Sequence, residues 1–192
     1  MSLKRLIVGI SGASGTIYGI RLLEVLRDVD GVETHLVFSN AAKRTALLET
    51  NYDIKQIEAL ADEVYGFTDI AASISSGSFK TVGMVIIPCS IKTLAGITHS
   101  YSDNLLLRAA DVTLKDRRKL VLVLRETPLH LGHLRLMTQA TEMGAIITPP
   151  MPAFYHQPKT VDDIINQTVN RVLDLLDIDL PQDLFERWQG PA

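Results

Sequence analysis

Strand-sized apolar runs recur along the chain at residues 3–9, 34–38, 82–88, 120–125 and 145–148. Between them apolar positions return at the three-to-four-residue spacing of helices. The runs are rich in Val, Ile and Leu with few polar interruptions, the pattern of strands covered on both faces. This alternation predicts an α/β fold, a three-layer, Rossmann-like or flavodoxin-like parallel sheet with helices on both faces. Helices are expected over residues 16–27, 41–49, 102–118 and 131–143, and from residue 160 onward. Ser102 and Asp103 read as the cap of the third helix and Gly144 as the left-handed stop of the fourth. Thr160 with Asp163 reads as a short-acid capping box for the last, whose apolar stripe is Val161, Ile165, Val169, Val172 and Leu176. Leu105, Leu106 and Leu107 in succession spread more apolar surface around the third helix than one core face needs, which points to contact between copies of the chain. No repeat, low-complexity tract or linker divides the sequence, so residues 1–192 are expected to form one domain.

The first strand breaks into Gly9-Ile10-Ser11-Gly12-Ala13-Ser14-Gly15 and the turn feeds straight into a helix. Glycines allow a tight turn and close approach to a ligand, serines add hydroxyl donors, and the helix N-terminus is expected to leave backbone amides open for phosphate. A dinucleotide site would need an acidic residue at the tip of the second strand to hold ribose. Here that tip is Ser39-Asn40, which suits a mononucleotide such as FMN, or simply caps the next helix.

Other loops at the carboxyl ends of strands carry further candidates. Residues 71–80 form a serine-rich loop, and residues 143–158 hold Pro149, Pro150, Pro152 and Pro158, which exclude a helix. The turn Pro88-Cys89-Ser90-Ile91-Lys92-Thr93 offers Ser90 and Thr93 as helix caps or as ligand donors. Arg125 and Glu126 place opposite charges at the tip of a central strand, facing the same crevice as the glycine turn. Arg108 and Lys115 share one helical face, where two cations could clamp a phosphate. Asp111 between them can pair with both as an ordinary ion-pair row, the reading that spacing favours. Tyr155 sits in an aromatic cluster between prolines, and Arg171 borders the last helix's apolar stripe, where arginines commonly snorkel.

Composition removes several function classes. With 46% hydrophobic residues, a net charge of −3 and no basic tract, the chain has a sizeable core and no electrostatic footprint for nucleic acid. No apolar run is long enough to span a membrane, and neither a secretory pattern nor more than one cysteine is present, so a cytoplasmic location is expected. Cys89 follows strand residues and reads as a packing residue. His130 and His133 have metal-ligand spacing without a third partner, and no metal is expected.

Taken together, Gly9 to Gly15, Pro88-Cys89-Ser90, Arg108-Ala109-Ala110-Asp111-Val112, Lys115-Asp116-Arg117-Arg118, Arg125-Glu126-Thr127-Pro128 and Phe154-Tyr155-His156-Gln157-Pro158 resemble the UbiX-type flavin prenyltransferases. That family lies in the superfamily of homo-oligomeric flavin-containing cysteine decarboxylases, and the likeness runs from Lys4 to Gln189. It implies that Gly12, Ala13, Ser14, Ser39, Ser90, Ile91, Lys92, Thr93 and Arg125 bind FMN. Arg108, Lys115, Tyr155 and Arg171 would hold the phosphate of dimethylallyl monophosphate, with Glu126, Ser14 and Glu49 in the catalytic group. The implied reaction joins a dimethylallyl group to N5 and C6 of reduced FMN and releases phosphate. The product, prenylated FMN, would serve a UbiD-type decarboxylase in ubiquinone biosynthesis or aromatic acid decarboxylation. Sites between subunits of a homo-oligomer, a dodecamer, are implied as well. The rival readings are an FMN-dependent decarboxylase of a cysteine derivative, and a non-catalytic flavin carrier.

Overall fold

The computed structural model describes residues 3–190. Its strands are β1 (Lys4–Ile10), β2 (Val32–Phe38), β3 (Glu63–Tyr65), β4 (Gly83–Cys89), β5 (Lys119–Leu124) and β6 (Ile146–Ile147). Its helices are α1 (Thr16–Leu26), α2 (Asn40–Glu49), α3 (Ile54–Glu58), α4 (Ile91–Thr98), α5 (Leu105–Lys115), α6 (Leu131–Glu142) and α7 (Val161–Leu175). The strands form one sheet in the order β3-β2-β1-β4-β5-β6, every pairing parallel. Strand order reverses between β1 and β4, and such a switch opens a crevice at the strands' carboxyl ends.

The apolar runs serve two cores. Leu6, Val8 and Ile10 of β1 point to one face with Val85 and Ile87 of β4, under α1, α2, α3 and α7. Ile7 of β1, with Met84, Ile86 and Cys89 of β4, points to the other, under α4, α5 and α6. Alternate side chains of one strand therefore enter opposite cores, which is why the runs show no polar alternation. The β4–β5 register slips between Ile86 and Cys89, where Pro88 has no N–H to give the ladder.

Several boundaries differ from those expected. α5 starts at Leu105, because Asn104, not the Ser102–Asp103 pair, supplies the cap: its side-chain oxygen accepts from the Leu107 amide at 3.1 Å. It ends at Lys115 rather than residue 118, with Arg117 in the left-handed region at φ 57°. Leu105, Leu106 and Leu107 are all buried in the chain's own second core, so they are not the surface between copies that their succession suggested. Exposed apolar residues lie elsewhere, among them Leu129, Leu131 and Leu134 around the start of α6, Met151 and Phe154 in the proline loop, and Leu47 and Leu48 at the end of α2. α3 and β3 had no counterpart in the expected elements, being short and largely polar. The Thr160–Asp163 capping box is present, and Gly144 takes a left-handed φ of 101° after α6.

Candidate active site at the sheet's carboxyl edge

The crevice at the switch holds a cavity of about 360 Å³ lined by Ser11, Gly12, Ser39, Asn40, Ala41, Phe67, Ser90, Lys92, Thr93, Asn104, Leu106 and Leu107. That volume falls within the roughly 300–1,000 Å³ of small-molecule sites. Three strand ends build it. Ser39 caps α2 by accepting from the Ala42 amide at 3.1 Å, and Ser90 caps α4 by accepting from the Thr93 amide at 3.3 Å. Both cap roles and cavity roles are thus filled by the same residues. Ile91 is partly buried against the second core rather than lining the cavity.

Ser11, expected as a phosphate donor, is committed elsewhere. Its hydroxyl donates to the Pro88 carbonyl at 2.9 Å and accepts from the Ser90 amide at 2.8 Å, bracing the β1 and β4 loops against each other. The α1 N-terminus is also not open. The Glu49 carboxylate, 34 residues away, accepts from the Gly15 amide at 2.8 Å and from the Thr16 amide at 3.4 Å. A carboxylate at a helix N-terminus meets the same unpaired amides and dipole that would attract phosphate. The amides of Gly12, Ala13 and Ser14, just before this helix, have no acceptor among the described residues and remain available to a ligand.

Burial alone would raise the Glu49 carboxyl, but hydrogen bonds from the Ser14 side chain, the Gly15 and Thr16 amides and the Thr16 hydroxyl hold it below its ordinary value of 4.5. A depressed carboxyl stabilises the fold above its unfolded titration range, and that contribution is lost as pH falls through the lowered value. Glu49→Gln is therefore expected to melt lower than the parent chain at neutral pH, with the gap closing below about pH 4.5. Thermal midpoints measured across that range check it, and a gap independent of pH would assign the contact no charge contribution.

The remaining residues fall into separate groups. Arg125 and Glu126 are exposed and do not line the cavity. The Arg125 amide donates to the Cys89 carbonyl at 2.9 Å, which sets the pair beside the Ser90 turn. Glu126 accepts from the Thr127 amide at 3.0 Å and has no ion pair with Arg125 among the described residues. Arg108 reaches Asp111 at 2.9 Å and the Ser75 carbonyl at 3.2 Å. Lys115 pairs with Asp116, not with Asp111, at 2.9 Å, so the single ion-pair row is replaced by two pairs. Arg118 holds the same Asp116 and the Gly77 carbonyl, fastening the serine loop to the end of α5. Tyr155 and Arg171 line a second cavity of about 460 Å³ with Phe185, Arg187 and Trp188. Arg108 and Lys115 ride on α5 over one core, Arg171 on α7 over the other.

Cys89 is fully buried, and burial pushes its thiol pKa well up, which suits packing and not nucleophilic attack. The His130 ring accepts from the Gly132 amide as the α6 cap and stacks on His133 at 3.6 Å. Among the described residues no three His, Cys, Asp or Glu side chains gather as metal ligands.

Two elements of the site had no sequence expectation. Phe67, after β3, walls the cavity within a segment whose polar composition hid its short elements. Asp116 and Arg118 set the position of Lys115, and only their adjacency to it signals that role.

A sheet of this order with its cavity at the switch defines a nucleotide-type α/β protein, and the model of the Flavoprotein family matches residues 1–173. A curated relative, the flavin prenyltransferase UbiX of Salmonella typhimurium, is 71% identical over 188 residues, covering 98% of this chain and 100% of the relative. The crystal structure of AnUbiX (PadA1) in complex with FMN and dimethylallyl pyrophosphate superposes with a TM-score of 0.95 at 49% identity, covering 99% of this chain and 100% of that one. A dodecameric FMN-dependent UbiX-like decarboxylase from Escherichia coli O157:H7 does so at 0.93 and 53% identity, covering 97% and 100%. The chain belongs to the flavoprotein family and, within it, to the UbiX flavin prenyltransferases.

Proposed function

We infer that this chain is a flavin prenyltransferase that joins the dimethylallyl group of dimethylallyl monophosphate to N5 and C6 of reduced FMN and releases phosphate. The observation that carries this reading is the switch-point cavity. It combines the glycine turn, which enters the cavity at Gly12, with apolar walls at Phe67, Leu106 and Leu107 for a ring system, in a chain 71% identical to a flavin prenyltransferase. Bound reduced FMN supplies the electron-rich ring that receives the prenyl carbon.

The chain's own residues do the rest. Gly12, Ser39, Ser90, Lys92 and Thr93, which line the cavity, bind and orient the flavin, with Ala13, Ser14, Ile91 and Arg125 assigned to it from the adjoining turns. Arg108, Lys115, Tyr155 and Arg171 hold the prenyl phosphate and offset the charge that grows on the leaving group. Glu126 takes up the ring proton, and Glu49 holds Ser14 beside the glycine turn. No divalent metal is assigned a part, because guanidinium, ammonium and phenol groups cover the phosphate.

Arg108 and Lys115 stand over one core and Arg171 over the other. We propose that they converge on one phosphate from different copies of the chain, in a homo-oligomer like the dodecameric relative. The proposed recipient of prenylated FMN is a UbiD-type decarboxylase, and the proposed location is cytoplasmic. Among the described residues no helix is long and apolar enough to cross a membrane.

Anaerobic incubation with reduced FMN and dimethylallyl monophosphate, followed by mass analysis of the flavin, tests the reading. Flavin heavier by one five-carbon unit is expected. Unmodified flavin would support a carrier, and carbon dioxide released from a cysteine-ended peptide would support the decarboxylase reading.

A further inference from the structure

The segment after α7 has no helix or strand over residues 181–190, yet it is fastened tightly to that helix. Asn170, buried at 1% exposure, accepts from the Leu184 amide at 2.8 Å. Arg187 donates to both oxygens of Asp174 at 2.9 Å, and to the two oxygens of Asp183 at 2.5 and 2.6 Å. All three of its nitrogens and four of its five N–H groups are engaged by the two carboxylates, so Arg187 is committed mainly to holding the segment.

Arg171 is differently placed. Its Nη1 donates to the same Asp174 at 2.6 Å, while its Nε and Nη2 have no partner among the described residues. Asp174 is therefore shared between two guanidinium groups, Arg187 with four of its five N–H groups engaged and Arg171 with one. The segment that Arg187 fastens also carries Phe185 and Trp188, whose rings meet Tyr155 edge-on with centroids 6.4 and 6.1 Å away. Of the second cavity's walls, only Tyr155 and Arg171 lie outside this segment.

We propose that Arg187 is a positioning residue for the prenyl phosphate: it holds Phe185 and Trp188 as the aromatic wall over Tyr155 and occupies Asp174, so that Arg171 keeps free donors for the ligand. The proposal rests on the function assigned above. Without Arg187, the Asp174 carboxylate has one cation left to pair with and draws Arg171 into a two-point contact, the geometry that guanidinium and carboxylate favour. Removal thus affects the phosphate twice, through a displaced wall and through a withdrawn Arg171.

The test uses Arg187→Ala and Arg187→Lys in the full-length oligomer. Trp188 is the single tryptophan, so its emission reports on the segment directly, without turnover. In Arg187→Ala the emission is expected to shift to the red, and KM for dimethylallyl monophosphate to rise about 10-fold, the scale of one lost charge-assisted contact. FMN affinity and kcat are expected to stay within about twofold, and Arg187→Lys to remain close to Arg187→Ala in KM, because an ammonium cannot bridge two carboxylates in paired fashion. An unchanged KM in an active Arg187→Ala protein overturns the proposal alone, as does a KM rise accompanied by equal loss of FMN affinity, which would mark a merely structural role. Parent protein that makes no prenylated flavin overturns the function and the proposal together.

Discussion

In Glu126→Gln, FMN binds as in the parent chain while prenylated flavin forms ~10²-fold more slowly, the scale of a lost general acid–base group. Glutamine keeps the size and the acceptor that meets the Thr127 amide, so the loop following β5 keeps its path. What it removes is the ability to take a proton. The Glu126 carboxylate suits that task because it is exposed and not consumed by Arg125, while the Arg125 amide ties this turn to the Cys89 carbonyl, next to Ser90 of the switch-point cavity. Fluorescence titration gives the affinity and anaerobic single-turnover mass analysis the product. Normal turnover in this variant would remove Glu126 from the proton path and leave the family assignment standing.

Gly12→Ala has the opposite signature, with binding lost first. A Cβ on Gly12 would lie 2.5 Å from the Ala41 Cβ and 3.3 Å from its carbonyl carbon. Neither atom can swing aside, since both belong to the first turn of α2, so the glycine turn and α2 must separate. Both line the flavin cavity. Displacing the Gly12 and Ala13 amides from the phosphate forfeits two hydrogen bonds at about 1 kcal/mol each, or roughly 30-fold in FMN affinity. Titration with FMN checks this, and unchanged affinity would show that the flavin phosphate does not rest against this turn.

Five of the six strands were legible because their alternate residues enter two cores and leave the runs almost wholly apolar, and the short, polar β3 was not. Cap chemistry located α2 and α7 well and misplaced the start of α5, where Ser102, Asp103 and Asn104 are all good cap residues and only tertiary position selects Asn104. The three leucines that follow looked like surplus surface because a single-face helix was assumed. α5 is instead enclosed by β4, α4 and the serine loop, and Leu105, Leu106 and Leu107 all find partners. Glu49 at the α1 N-terminus joins residues 34 apart, a contact that no local pattern encodes. The Ser11 brace between two loops is likewise a product of the sheet bringing β1 beside β4. Lys115 pairing with Asp116 instead of Asp111 follows from Arg118 fixing that aspartate, which helical spacing does not reveal.

The placement of Arg108 and Lys115 over one core, with Arg171 over the other, separates folding from competence. Both cores and the switch-point cavity are built from one chain's residues, while on the proposed reading the phosphate-binding set is divided between copies. Activity on the proposed reading is then a property of association and declines with dilution. On that reading the surface that joins the copies is as much a part of the catalytic apparatus as the switch-point cavity, since a weakened junction silences the chemistry.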